Sequence, residues 1–212
     1  MQFIYKNSVL GGTFDHFHLG HQKLIDAAFE QSKHVTIGLT KPVMYQNKFL
    51  SDTIEDYSIR EADLKKYLKE KDFETRARII PIVNIYGTTL EDKNIEAIFA
   101  TEENLHNVNL INTKRKEIGF SKFKIITVPY IKDDNGKNIT SERIRKGEID
   151  RDGFVYKSIF DKKQVLTLPN DLRPTLQKQI GKVVKNTQDV LKLLNKNTIV
   201  IAVGDIIASK LK

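Results

Sequence analysis

The 212-residue chain contains no cysteine. Disulfides and thiolate metal sites are therefore excluded, and the composition gives no support for an oxidising compartment. The chain also lacks any run of about 18 apolar residues, the length that a membrane-crossing helix needs. Its first residues, MQFIYKNSVLGG, hold a single lysine and no long apolar core ahead of a small-residue cleavage site, so a signal peptide is not expected. Cytoplasmic residence is the expectation, with no membrane partner. What is present is 40% hydrophobic and 29% charged residues, the balance of a globular protein. The length suffices for one full domain with its own core plus a smaller unit.

Lys and Arg outnumber Asp and Glu by 35 to 27, for a net charge of +8. Such a surplus attracts nucleic acid or a polyanionic small molecule. The lysines are spread along the chain instead of forming one block, so the plainer reading is a solvated lysine-rich surface, and no nucleic-acid partner is expected.

Strand-like and helix-like stretches alternate. Ser8–Leu10 closes an apolar segment ahead of a glycine pair. Gln22–Gln31 places Leu24, Ile25, Ala28 and Phe29 at helical spacing. HVTIGL (34–39) reads as a strand and 59–69 as a charged helix. Residues 77–85 read as a strand despite Pro81, which is awkward inside one. Residues 97–100 and 124–128 are further strands. Asn104–Gly119 is a helix closed by its glycine, and Thr140 begins another. This rhythm predicts an α/β fold, a Rossmann-like parallel sheet with helices on both faces, whose ligands sit beyond the carboxyl ends of the strands. Near residues 150–163 the pattern turns polar and loses its period. A boundary near residue 160 divides the chain into 1–160 and 161–212, the latter with a helix at 188–194 and a strand at 198–203.

Two segments carry the chemistry. The first is GGTFDHFHLGH, residues 11–21. Gly11 and Gly12 follow a strand and permit a tight turn. His18 and His21 flank Gly20, and a helix starting there would aim free N–H groups and an imidazole at one space, which favours phosphate. Gly20 would let a nucleotide approach the backbone. Three histidines within six residues also raise a metal site, but no cysteine or further nearby histidine completes a ligand set, and His34 and His106 are distant in sequence, so no protein-held metal is expected. The second segment is GKNITSERIRKGEI, residues 136–149. Thr140 and Ser141 are good N-caps, and with Arg143 and Arg145 they make either a second anion site or an ordinary capped helix with two surface arginines.

Together these segments resemble the nucleotidyltransferase superfamily, with its GTFD turn and [TH]-x-G-H motif. Ile139-Thr140-Ser141-Glu142-Arg143-Ile144-Arg145 is similar to the I-S-S-T-x-[IV]-R motif of phosphopantetheine adenylyltransferases, and the stretch after it to their archaeal and eukaryotic branch. Glu142 stands where the family has threonine. The resemblance implies transfer of AMP from ATP to 4′-phosphopantetheine, giving dephospho-coenzyme A and pyrophosphate, with Mg²⁺ accompanying ATP. It implies nucleotide binding by Gly12, Thr13, Phe14, Asp15, His18, His21, Glu102, Thr140, Ser141, Arg143 and Arg145. His18, His21 and Lys41 are the implied catalytic residues, His21 stabilising the transition state. Thr13 and either Lys41 or Lys48 would hold the phosphopantetheine phosphate. Arg60 reads as a surface residue, and Asn112 and Arg115 are lesser candidates. The alternatives are a cytidylyltransferase or FAD synthetase-type enzyme, though the R-T-x-G lead of their late motif is missing, or a non-catalytic nucleotide- or nucleic-acid-binding protein.

Residues 166–212 resemble the opening of the archaeal GTP-dependent dephospho-coenzyme A kinase, through LPNDLR and Val203-Gly204-Asp205. Gln179-Ile180-Gly181 departs from that family's P-L-G turn. The resemblance implies GTP contacts at Asp205, Ile206 and Ile207. The kinase's later acidic motifs are absent, so no kinase activity is expected of these 212 residues. A further kinase portion and a homo-oligomer are the macromolecular partners left open.

Overall fold

The computed structural model describes residues 3–155, and the elements named here all lie in the unit Met1–Gly153. In chain order they are β1 (Tyr5–Gly12), α1 (Leu19–Gln31), β2 (Ser32–Thr40), α2 (Tyr57–Glu70), β3 (Ala77–Ile82), β4 (Ala97–Ala100), α3 (Leu105–Glu117), β5 (Lys124–Thr127) and α4 (Ser141–Arg145). The five strands form one sheet in the order β3-β2-β1-β4-β5, every pair parallel. This is the α/β sheet that the alternating pattern predicts. The helix at 188–194, the strand at 198–203 and the candidate GTP contacts Asp205, Ile206 and Ile207 lie outside the described residues.

Strand alternation divides the core between the two faces. On one face Leu10, Val35, Ile37, Leu39 and Phe99 meet Leu24, Ile25, Ala28 and Phe29 of α1 and Leu64, Tyr67 and Leu68 of α2. On the other, Val9, Ile98 and Ala100 meet Val108 and Ile111 of α3. Lateral progress along the sheet therefore reverses between β1 and β4, which leaves a crevice beyond their carboxyl ends.

Two local expectations need correction. Pro81 sits in β3 because β3 is an edge strand, where one missing N–H disturbs no ladder; the strand ends at Ile82, not at 85. Gly11 and Gly12 are not the turn but the last two residues of β1. The chain turns after them, through left-handed backbone at Phe14 (φ 52°) and His16 (φ 48°). A side chain on Gly12 would press on the Phe14 ring at 3.2 Å, so that glycine gives room for the buried phenylalanine beneath the turn.

No described helix is long and apolar enough to cross a membrane.

Candidate active site

The crevice beyond β1 and β4 is a cavity of about 550 Å³. Its floor is Gly11, Gly12 and Thr13 at the end of β1 together with Ala100 and Thr101 at the end of β4. His18, Gly20 and His21 enter from the start of α1, and Thr140, Ser141 and Arg145 from α4. The two sequence segments thus face one space, although about 120 residues separate them. Lys48, Met44 and Phe49 border it from the β2–α2 connection, and Glu103, Asn107 and Tyr130 from the β4 side.

Two histidines cap α1. His18 is the N-cap, and its Nδ1 accepts from the Gly20 N–H at 3.1 Å. His21, at the third helical position, reaches back so that its Nδ1 accepts from the His18 N–H at 3.4 Å. Serine or threonine with glutamate makes the usual form of this box; here two imidazoles make it, their rings stacked 3.8 Å apart. The arrangement dictates tautomers. With Nδ1 accepting, the proton of each neutral ring lies on Nε2. His18 Nε2 is 3.3 Å from Ser141 Oγ, which itself donates to the Asp15 carbonyl at 2.8 Å. Ser141 therefore accepts from His18, and both nitrogens of His18 are engaged within the fold. His18 also lines the cavity, while its nitrogens hold the helix start and α4 in place. His21 keeps its Nε2–H without a partner among the described residues, on the cavity wall.

Both rings are neutral at physiological pH. Burial pushes His18 down to about 4, opposed in part by Asp15. Burial, with His18 and Lys48 adding to it, holds His21 well below the usual imidazole range. The cationic side chains on the cavity wall are Lys48 and Arg145. Lys48 Nζ donates to Thr13 Oγ1 at 3.0 Å. Its ammonium end is crowded although the residue as a whole is exposed, and burial, Arg145 and Arg60 lower its pKa against the opposing pull of Glu103 and Asp15.

Arg145 pairs with Asp15 at 2.6 Å, with both side chains almost fully buried, and donates to the Phe49 carbonyl at 3.1 Å. Its Nε is buried without a hydrogen-bond partner among the described residues. Burial raises the Asp15 carboxyl, but hydrogen bonds from His16, the Glu55 N–H and Arg145 outweigh it and leave the group below its usual value. Asp15 is thus spent inside the turn and does not line the cavity. His16 is held above its usual value chiefly by Asp15. Asp15, His16 and Glu55 offer ligand atoms within 4.8 Å of one another, but Arg145 already neutralises Asp15 and Arg151 neutralises Glu55 at 2.6 Å.

Several other expected residues stand elsewhere. Lys41 lies outside the cavity wall, its ammonium 3.7 Å over the Tyr57 ring; Lys48 is the lysine the loop presents. Glu102 does not line the cavity, and Glu103 does, accepting from Tyr130 Oη at 3.0 Å. Arg143 is tied to Asp133 at 2.6 Å and Glu148 at 3.0 Å, so it braces the 133–148 segment and is neither a cavity residue nor free. The Thr140 hydroxyl accepts from the Arg143 N–H, as an N-cap does. Asn112 and Arg115 bond main-chain groups behind α3, Asn112 at Phe123 and Arg115 at Ser121 and Asp92. Arg60 is fully buried, not a surface residue. Tyr130 and Asn107 were missed, because neither falls in a recognisable motif.

A family described as cytidylyltransferase-like matches residues 9–147. A phosphopantetheine adenylyltransferase of Pyrococcus abyssi is 42% identical over 153 residues, 72% of this chain and 97% of that protein. The enzyme of that name from Methanothermobacter thermautotrophicus is 38% identical over 155 residues, 73% of this chain and 92% of its own length. Among solved structures, an Archaeoglobus fulgidus protein of unknown function superposes with a TM-score of 0.52 at 34% identity, covering 58% of this chain and 88% of that one. With relatives matched over nearly their whole length, the chain belongs to the phosphopantetheine adenylyltransferases of the cytidylyltransferase-like family.

Proposed function

We propose that the cavity aligns ATP with 4′-phosphopantetheine so that the phosphate of the latter attacks the α-phosphorus, forming dephospho-coenzyme A while pyrophosphate leaves. The observation that carries the reading is the meeting of the paired histidines of α1 with Thr140, Ser141 and Arg145 of α4 around one cavity. The nucleophile is already an anion near neutral pH, so no general base is required. What the reaction needs is alignment and donors aimed at developing charge.

His21 supplies such a donor through Nε2–H, its direction fixed by the capping bond at Nδ1. Being neutral, it donates a hydrogen bond to a phosphate oxygen without acting as an acid. His18 acts through position, holding α1 and α4 together. Lys48 and Thr13 receive the phosphate of the acceptor, Lys48 as a point charge. Arg145, its Nε without a partner among the described residues, faces the triphosphate. Among the described residues Glu103 is the cavity carboxylate not engaged by a cation, and Glu142 is taken by Lys146. That donor set fits Mg²⁺ carried on the phosphates of ATP, not one held in a protein cage; its contribution would be to neutralise phosphate charge. The cytoplasm is the compartment proposed. The kinase resemblance of residues 161–212 finds no support in the matches, and the adenylyl transfer stands without it.

The test is pyrophosphate release with ATP plus 4′-phosphopantetheine, against ATP alone and against CTP plus the same acceptor. Release that needs both ATP and the acceptor is expected. Release with CTP at an equal rate would favour a cytidylyltransferase instead.

A further inference from the structure

Arg60 is 0% exposed, yet among the described residues it pairs with no carboxylate. Each of its guanidinium donors has an acceptor. Nε donates to the Glu55 carbonyl at 2.8 Å. Nη1 donates to the Thr13 carbonyl at 2.7 Å and the Thr40 carbonyl at 3.1 Å. Nη2 donates to the Thr40 carbonyl and to Tyr45 Oη, both at 3.1 Å. The planar fork therefore ties four chain segments: the turn after β1, the end of β2, and both ends of the 41–56 connection that carries Lys48. The Tyr45 and Tyr57 rings lie 5.1 and 5.7 Å from the guanidinium carbon. Burying a cation against neutral acceptors alone is costly, and a packed apolar side chain would hold a hinge more cheaply. What the arginine adds is direction: five N–H groups in one plane fix the Thr13 and Thr40 carbonyls relative to the loop.

These contacts are confined to one side of the cavity. Arg60 touches neither α1's first turn nor α4 nor Glu103. Resting on the assignment of Lys48 and Thr13 to the acceptor phosphate, we propose that Arg60 is a positioning residue for acceptor binding, holding the Thr13 turn and the Lys48 loop at the spacing that a phosphomonoester bridges. It acts through Thr13 and Lys48 and does not touch substrate.

The experiment compares wild type with Arg60→Lys and Tyr45→Phe, after circular dichroism has shown each to be folded. It measures the KM for 4′-phosphopantetheine and, by calorimetry, the dissociation constant for ATP. Lysine cannot make a planar fork, so the acceptor KM of Arg60→Lys should rise roughly ten-fold or more, the scale of one hydrogen bond to a charged group. Tyr45→Phe, which removes one of the five bonds, should raise it about two- to five-fold. ATP affinity should change several-fold less than the acceptor KM in both, because none of the Arg60 hydrogen bonds goes to α1 or α4. Equal weakening of ATP and acceptor, or an acceptor KM within two-fold of wild type, would overturn the proposal by leaving Arg60 a general scaffold residue. Should Arg60→Lys not fold, the same criteria applied to Tyr45→Phe decide. Wild type without acceptor-dependent pyrophosphate release would be a failure of the functional assignment, which this comparison keeps separate.

Discussion

His18 and His21 stack 3.8 Å apart, each Nδ1 accepting a main-chain N–H of the turn they share. The pairing leaves one nitrogen, His21 Nε2, as a donor aimed outward at a fixed angle. Replacing His21 by Ala should lower kcat by about 10² or more, the scale of one lost preorganised donor. ATP dissociation constants should change much less, since the donor matters most where charge develops. Steady-state kinetics alongside calorimetry checks this, and near-normal turnover in the variant would reject the role.

Neutral, buried imidazoles also leave a signature in stability. The unfolded chain protonates His18 near 6.5, whereas the folded protein does so near 4. Between those values the unfolded state binds the extra proton, so stability is full above pH 6.5 and declines as pH falls towards 4. The depression corresponds to roughly 3 kcal/mol at most. His21 shifts in the same direction. His16 shifts oppositely, and its contribution is lost only as pH rises above 6.5, while Asp15 acts below its unfolded value of 3.8. The window from 6.5 to 4 thus belongs chiefly to the stacked pair. Urea unfolding at pH 7.5 and pH 5 should show the loss, and His18→Asn, which keeps a good N-cap, should show a smaller one. An equal pH slope in that variant would reject the burial argument.

The sheet was legible because period-two and period-3.6 patterns are local properties of the chain, and every predicted strand up to residue 128 is present within a few residues. Gly20 and the two histidines could be placed because a helix start has a recognisable cap. Side-chain commitment was not legible. Whether Asp15, Arg143 or His18 faces a ligand or a neighbour depends on partners as far away as Arg145, Asp133 and Ser141, and no spacing rule reports those. Arg60 is the clearest case: on a charged helix it reads as surface, and only the convergence of the Thr13 and Thr40 carbonyls on its guanidinium shows why it is buried.

Two lysines of the β2–α2 connection were interchangeable in sequence and are not in the fold. Lys48 touches Thr13 within the cavity, whereas Lys41 rests on Tyr57 outside it. Lys48→Met should raise the KM for 4′-phosphopantetheine about ten-fold or more, as the loss of a charge-assisted contact to phosphate would. Lys41→Met should change it less than two-fold and lose only a cation–π contact of about 0.5–1 kcal/mol. The reverse ranking in initial-rate measurements would return the role to Lys41.

Gly20 offers a test of how tightly the imidazole pair is set. It lies in α1, where alanine would ordinarily stabilise by up to about 1 kcal/mol, and its backbone needs no left-handed conformation. Yet an added Cβ would stand 2.9 Å from His18 Cε1 and 3.1 Å from Nδ1, with the Ile139 carbonyl at 3.5 Å. The ring has little freedom to yield, since Nδ1 is held by the Gly20 N–H and Nε2 faces Ser141. Gly20→Ala should therefore displace His18, loosen the His21 cap that depends on it, and reduce kcat roughly ten-fold, within the range that misplacement of a reacting group costs. Because helix propensity offsets the crowding, the melting temperature should move by only a few degrees. A Gly20→Ala enzyme with wild-type kcat would mean that the stacked histidines are free to shift, and that the direction of His21 Nε2–H does not limit the rate.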